Sequence, residues 1–274
     1  MFNISQANIG SLPGLELQII LDNILLFFFC SIRISAFLIA SPIFGARYVI
    51  LPVRILFGMV LTLTVFQDQS STLNVDTIAS ATGVILLIKE AAIGLSAGLV
   101  LTIWFSAAAI AGEKMASTSG LAFAAQLDPN TGSSSPVLSQ ILMLFLLVIF
   151  LSIDGHLIVL RTLLDSYEFI PITSLPTLDI ILKSGIGAAG SMFLAATIIM
   201  LPISIALLMI NVSIGIITRS TPTLNIFSFA FPVTLLGVFI LLYFSVSTIG
   251  FAMSDLVESS INYMQDMIWG IKNG

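Results

Sequence analysis

Charged residues are scarce in this sequence, since Asp, Glu, Lys and Arg make up only 8% of its 274 residues. Hydrophobic residues make up 58%, and the mean hydropathy is +1.13. A soluble domain of this length could not hide so much apolar surface from water. We therefore expect a protein that resides in a membrane or in a membrane-embedded assembly.

Cysteine and histidine are nearly absent, with one of each in the chain. The single cysteine, Cys30, excludes a disulfide framework and a two-cysteine redox motif. Asp154 and His156 could suggest an acid–base or metal site, but no further ligands or nucleophile accompany them. A helix end with a turn at Gly155 explains them better. We expect no enzyme activity, no metal and no other cofactor.

Basic stripes are also missing: nine basic and 14 acidic residues give a net charge of −5, thinly spread. This distribution argues against a nucleic-acid partner. The first residues carry Glu16 and Asp22 but no Lys or Arg, which is wrong for the basic start of a secretory signal peptide. The first apolar segment is therefore expected to remain on the protein.

Apolar runs dominate the rest of the chain and predict an all-α, membrane-associated fold with about six long helices, several of them broken by Pro or Gly. Most are about long enough to cross a hydrocarbon core of roughly 30 Å, and two are too long for one simple crossing. The polar stretch 161–183 is predicted to be a loop, and the tail from Met253 has the periodicity of an amphipathic helix. The apolar segments cover residues 19–40, 52–66, 78–111, 137–153, 186–218 and 231–251.

Three charged residues interrupt these apolar runs: Arg33 in the first, and Lys89 and Glu90 in the third. A charge at bilayer depth costs about 2.5–3.5 kcal/mol, so each should face protein or water. For Arg33 the alternative is snorkelling toward the nearer helix end. Lys89 and Glu90 are adjacent, point about 100° apart on a helix and are expected to need separate partners.

Small and polar residues mark further packing sites. Gly94 and Gly98 let another helix approach closely, either within this chain or from another subunit. Asn211 lies in an apolar run and should hydrogen-bond to a neighbouring helix. Arg54 is expected at the mouth of the second span. Arg219 ends its helix, where a cation meets the negative end of the helix dipole, and it is a candidate for an ion pair across a subunit contact.

The stretch 112–136 is rich in Gly, Ser, Thr and Ala and separates two apolar runs. Its turn-forming sequence from Asp128 to Gly132 predicts a loop, and a loop of this length is usually functional or disordered. The apolar patch at Leu121 and Phe123 argues against plain disorder. We weigh two interpretations: an ordered loop that fills a space left by the helices, and an exposed connector between two membrane spans.

Several motifs resemble one known family. The most specific reads Gly215-Ile-Ile-Thr-Arg-Ser-Thr-Pro-Thr-Leu-Asn-Ile-Phe-Ser-Phe-Ala-Phe-Pro, and it contains Asn225, Phe227 and Pro232. Together these motifs resemble the FliR family of the flagellar type III export gate over almost the whole chain. The others are Gly120-Leu-Ala-Phe, Leu127-Asp-Pro, Asp154-Gly-His-Leu, Arg33-Ile-Ser-Ala-Phe and Pro42-Ile-Phe-Gly.

Three positions depart from the family pattern. Thr223 stands where the family usually has Gln, and Ala230 stands where Gly precedes the Phe-Pro pair. These two changes hardly disturb the assignment. Gln126 replaces a bulky apolar residue in the central loop, so the contacts of that loop are expected to differ.

The resemblance implies a subunit of the flagellar protein export gate in the bacterial inner membrane, within the flagellar basal body. Residues 1–185 would be built like FliP and residues 186–274 like the FliQ hairpin, with an amphipathic tail. The implied partners are FliP, FliQ, FlhB, FlhA, membrane lipid and unfolded exported proteins.

The resemblance also implies roles for single residues. The loop 112–136 would be a plug that closes the channel. The residues expected to serve subunit packing or the structure of the chain itself are Arg33, Arg54, Lys89, Glu90, Gly94, Gly98, Asn211, Arg219, Asn225, Phe227 and Pro232. The plug residues would be Gly120, Leu121, Phe123, Gln126, Asp128, Pro129 and Gly132.

A secondary transporter for a small solute is the alternative function. Long helices broken by proline, and intramembrane charges such as Lys89 and Glu90, are typical of transporter sites. Against this, the apolar segments show no clear inverted repeat.

Overall fold

The computed structural model describes residues 17–69, 78, 80–120, 137–174, 178–221 and 226–273. Seven helices and no strand form in these ranges, which confirms the predicted all-α fold. The helices are α1 Leu17–Ala40, α2 Leu51–Gln69, α3 Ala81–Thr118, α4 Val137–Ser152, α5 Gly155–Phe169, α6 Leu178–Ser220 and α7 Ile226–Asn273.

Five helices of this described part are long and apolar enough to cross a membrane, and six spans result if the bent pair α4 and α5 counts as one. The longest are α6, with 43 residues, and α7, with 48 residues. At 1.5 Å per residue they reach about 65 and 72 Å, roughly twice the hydrocarbon thickness of a bilayer. Pro202 and Pro232 lie inside these helices without ending them.

The predicted loop at 161–183 is wrong at both ends, since residues 161–169 and 178–183 are helical. Helix α5 occupies Gly155–Phe169, and α6 already begins at Leu178. Arg161 and Asp165 lie one turn apart on α5 with their charged groups 3.7 Å apart, a spacing that supports a surface helix. The mixed charge of this stretch therefore marks the exposed side of a helix.

The turn predicted at Gly155 is present between α4 and α5, which bend by 67°. The residue in the left-handed conformation is Asp154, with φ 55°, and Gly155 opens the next helix. Asp tolerates this conformation because its short polar side chain can hydrogen-bond locally. A Cβ at Gly155 would lie 2.8 Å from the ring of Phe150, so close packing requires glycine there.

The amphipathic tail continues the last helix, since α7 runs without a break to Asn273. The apolar face predicted for this tail is buried, which confirms the periodicity. Its members are Met253, Leu256, Val257, Ile261, Met264 and Ile268.

The contacts of the chain fall into two compact units. The first comprises residues 1–99, 161–181 and 267–274, and the second comprises residues 100–160 and 182–266. The first unit holds α1, α2 and the start of α3, while the second holds α4 and most of α6 and α7. This grouping is a different property from the predicted division between residues 185 and 186, which stays a prediction.

Candidate functional site

Three charged side chains meet in the core of the first unit. Arg33 lies on α1, and Lys89 and Glu90 lie on α3. Arg33 and Glu90 have no exposed surface, and Lys89 is 3% exposed. The prediction that these charges face protein or water is confirmed, with protein as the surroundings, and the snorkelling alternative for Arg33 is wrong.

The guanidinium of Arg33 forms a two-point ion pair with Glu90: Nε donates to Oε2 at 2.8 Å and Nη2 donates to Oε1 at 2.9 Å. Its other donors reach α5 and the residue after it. Nη1 donates to the carbonyl oxygen and Oγ of Ser166 at 2.8 and 2.9 Å, and Nη2 donates to Ile170 O at 2.9 Å. The ring of Tyr167 lies 4.1 Å below the guanidinium carbon. One planar fork therefore joins α1, α3 and α5.

The ammonium of Lys89 holds the turn that follows α5. Nζ donates to the carbonyl oxygens of Pro171, Ile172 and Ser174 at 2.8, 2.8 and 3.0 Å. It also lies 3.0 Å from Oε1 of Glu90, so the expectation that these neighbours do not pair is wrong. The long, flexible lysine stem lets the ammonium reach back to the carboxylate.

The cluster holds two cations and one carboxylate. The excess positive charge lies against carbonyl oxygens at and beyond the end of α5, where the helix dipole is negative. The groups are buried and their donors are used in hydrogen bonds. We infer that this cluster fastens three chain segments together.

The glycine face of α3 packs against α1 in the same unit. A Cβ at Gly94 would clash with the carbonyl oxygen of Arg33 and lie 2.9 Å from Cβ of Ala36. A Cβ at Gly98 would lie 2.7 Å from Cβ of Ala40. Of the two partners weighed for these glycines, the structure supplies the one within the chain. The close approach of α1 and α3 also brings Arg33 to the level of Glu90.

The predicted start of the central loop at residue 112 is wrong, because α3 remains helical to Thr118. The base of the loop lies in the second unit, at the end of α3. Gly120 has φ +82°, a left-handed conformation that suits glycine. The carbonyl oxygen of Thr118 accepts a hydrogen bond from Nδ2 of Asn211 on α6 at 3.0 Å. The carbonyl oxygen of Ser119 accepts one from Oγ1 of Thr234 on α7 at 3.0 Å. The prediction that Asn211 bonds to a neighbouring helix is confirmed.

Sequence reasoning missed Thr234, because a threonine in an apolar helix often bonds to its own backbone and gives no distinguishing signal. Of the predicted plug, the structure describes Gly120. The predicted residues Leu121, Phe123, Gln126, Asp128, Pro129 and Gly132, and also Asn225, lie outside the described residues.

Arg54 stands near the start of α2, as predicted. Its Nη2 lies 3.3 Å from Ala46 O and 3.4 Å from Val49 O, in the turn before that helix. Arg219 lies exposed in the last turn of α6, as expected for a cation at a helix end. Phe227 and Pro232 belong to the first turns of α7.

Comparisons with known proteins show the family of this chain. Residues 24–260 match the profile of the family described as "Bacterial export proteins, family 1". The chain belongs to this family. The match contains the charge cluster and also the base of the central loop.

Relatives of this export family member extend over most of its length. It is 35% identical to flagellar biosynthetic protein FliR of Pectobacterium carotovorum over 209 residues. This aligned region covers 76% of this chain and 79% of the relative. It is 30% identical over 210 residues to FliR of Escherichia coli, covering 77% and 80%. It is 29% identical over 258 residues to FliR of Bacillus subtilis, covering 91% and 96%.

The family and these relatives confirm the resemblance drawn from the motifs. This export protein is a subunit of the flagellar type III export apparatus in the bacterial inner membrane. The solute-transporter alternative gains no support from them. The apolar helices of the described part agree with a membrane location.

Proposed function

We propose that this export protein forms part of the wall of the export channel and closes the channel with its central loop. Unfolded flagellar proteins would leave the cytoplasm through that channel. FliP and FliQ would complete the wall, FlhB would lie alongside it, and FlhA would belong to the same apparatus.

The observation that carries this proposal is the bare apolar surface of α6 and α7. Only 22% and 11% of the residues in their most apolar windows are buried within the chain. At about 65 and 72 Å these helices extend well beyond a bilayer, and exposed apolar surface outside lipid requires protein cover. Large exposed side chains on them include Phe193, Leu194, Ile198, Phe244 and Phe251.

The proposed division of the chain follows from the same helices. We propose that residues 1–185 take the place of a FliP-like subunit and that residues 186–274 take the place of a FliQ-like hairpin. The long helices α6 and α7 occupy nearly all of the second range. Neighbouring helices of the channel wall would cover their exposed sides.

The central loop suits a plug for two reasons. It follows the left-handed Gly120, a conformation that ends a helix. It carries the apolar residues Leu121 and Phe123, and an apolar constriction resists ions because they lose hydration on entering it.

The partner half of the proposal is tested by expressing the tagged chain with and without FliP and FliQ. With both partners, the chain should be recovered from detergent as a stable complex. Alone, it should aggregate or be degraded because the sides of α6 and α7 are uncovered. Recovery of a monodisperse, folded monomer from cells that lack both partners would contradict the proposal.

The plug half is tested by deleting Leu121–Gln126 in cells that produce the whole apparatus. The complex should still assemble, and the membrane should conduct small ions, seen as conductance and slower growth. A matched control changes Ser133, Ser134 and Ser135 to alanine, which keeps the apolar patch, and its membrane should stay tight. A tight membrane with normal export in the deletion strain would rule out the plug.

A further inference from the structure

We propose that Asn211 and Thr234 are positioning residues that hold the root of the central loop, so that the α6–α7 hairpin sets where the loop leaves α3. This inference rests on the proposed plug function. It concerns the second contact unit alone, where all the residues involved lie.

The last carbonyl groups of α3 take their hydrogen bonds from two sources. A helix end leaves its final carbonyls without partners in the helix. The end of α3 satisfies three of them locally. Ser119 N donates to Met115 O, Ser119 Oγ to Ala116 O, and Gly120 N to Ser117 O.

The next two carbonyls take donors from elsewhere in the chain. Thr118 O receives Nδ2 of Asn211, 93 residues later on α6, and Ser119 O receives Oγ1 of Thr234, 115 residues later on α7. Ser119 and Thr234 are 1% and 5% exposed. The hydrogen bond between them is therefore shielded from water, and its loss would leave a buried acceptor unsatisfied.

A third contact adds steric support at the same place. The ring of Phe231 lies one turn before Thr234 on α7, and its Cδ2 atom would be 3.4 Å from a Cβ placed on Gly120. Residues at this spacing share a helix face. One face of α7 therefore contacts both Ser119 and Gly120, while α6 holds Thr118.

The hydroxyl of Thr234 also has a second set of acceptors. The Oγ1 atom of Thr234 lies 3.0 Å from Ser119 O. It also lies 3.1 Å from Ala230 O and 3.1 Å from Phe231 O in its own helix. A threonine hydroxyl has one proton to donate, so these carbonyls compete for it. If the bond to Ser119 O breaks, the hydroxyl can turn to its own helix, whereas Ser119 O loses its donor. The cost of releasing the loop root therefore falls on the carbonyl of Ser119.

The test uses Thr234→Val, which removes the hydroxyl, and Asn211→Leu, which removes the amide donor, in cells that produce the whole apparatus. Each variant should assemble in normal yield and raise ion leak several-fold, because the root of the plug loses one of the hydrogen bonds that position it. Thr234→Ser keeps the hydroxyl and should stay tight. Thr197→Val is the matched control, since Thr197 is half-buried on α6 and its hydroxyl donates to Phe193 O in its own helix.

A second experiment combines Thr234→Val or Asn211→Leu with the deletion of Leu121–Gln126. If Thr234 and Asn211 act through the loop, neither change should add leak to that of the deletion alone. Additional leak in the combined strain would overturn the inference, because the residues would then act elsewhere in the channel. Poor complex yield would also overturn it, since the residues would then be needed for folding.

The outcomes separate this inference from the plug itself. A deletion that leaks, together with tight Thr234→Val and Asn211→Leu strains, would overturn the positioning role and leave the plug standing. A deletion that does not leak would overturn the plug, and the positioning role would fall with it.

Discussion

Arg33 and Glu90, 57 residues apart in the sequence, are joined by two hydrogen bonds of 2.8 and 2.9 Å at a position where neither side chain reaches solvent. Such a pair gains little over an apolar pair of the same shape, but losing one member leaves the other charge buried and uncompensated. The two helices α1 and α3 must therefore pack in the register that brings Arg33 beside Glu90. Lys89 adds the turn after α5 to the same arrangement.

We expect Glu90→Gln to reduce the amount of folded chain sharply. The change keeps the size of the side chain but leaves Arg33 and Lys89 without their carboxylate, and breaking a buried pair costs about 3–5 kcal/mol. The measurement is the steady-state level of the chain in membranes that contain the whole apparatus.

Asp165→Asn is the control for that change, because it breaks the exposed pair with Arg161 on α5. Exposed pairs contribute about 0–1 kcal/mol, so its level should match that of the unchanged chain. Equal levels for both variants would show that the buried cluster does not stabilise the fold.

Gly94→Ala should destabilise the first unit. The added methyl group would meet Arg33 O and Cβ of Ala36, so α1 must move away from α3, and overpacking of this kind costs about 1–3 kcal/mol. Gly190→Ala is the matched control, since a Cβ there has nothing within 4 Å. Thermal aggregation of the purified complex should begin at a lower temperature for Gly94→Ala than for the unchanged chain, and Gly190→Ala should not shift this temperature. The same onset for both variants would argue against the packing described.

Gly120→Ala should make the channel leak without preventing assembly. Alanine at φ +82° costs about 1–2 kcal/mol, so the first residue of the loop should shift and seat the loop poorly. The leak should be smaller than that of the Leu121–Gln126 deletion. Gly215→Ala, which lies in open space on α6, should leave conductance unchanged. A tight Gly120→Ala channel would mean that the loop does not depend on this conformation.

Arg219→Ala should lower complex yield while leaving the level of the chain unchanged. Arg219 is exposed in the last turn of α6, and we expect it to pair with an acidic group of another subunit. Arg219→Lys keeps the charge but loses the planar fork, so its complex yield should lie between that of the unchanged chain and that of Arg219→Ala. The measurement is the amount of FliP that copurifies with the tagged chain. Normal yield together with blocked export would instead place Arg219 in the transport path.

Sequence reasoning succeeded where one residue carries a large energetic constraint. A charge within an apolar run cannot face lipid at low cost, so Arg33, Lys89 and Glu90 were expected to face protein or water. The structure decided for protein and against the snorkelling alternative for Arg33. The hydrogen bond of Asn211 to another helix followed from the same argument. The helix at 155–169 was missed because its mixed charge and the prolines at 171 and 176 resemble those of a loop.

The sequence by itself determined the all-α class, the membrane location, the export family and the need to pair each intrahelical charge. Only the tertiary structure decided which groups meet. Glu90 turns to Arg33 and also to its neighbour Lys89, and Thr234 holds Ser119 across 115 residues. The physical reason is that hydropathy and charge are properties of single residues, whereas a hydrogen bond requires two groups within about 3 Å. Such proximity depends on how whole helices pack, and here that packing includes the close approach of α1 to Gly94 and Gly98.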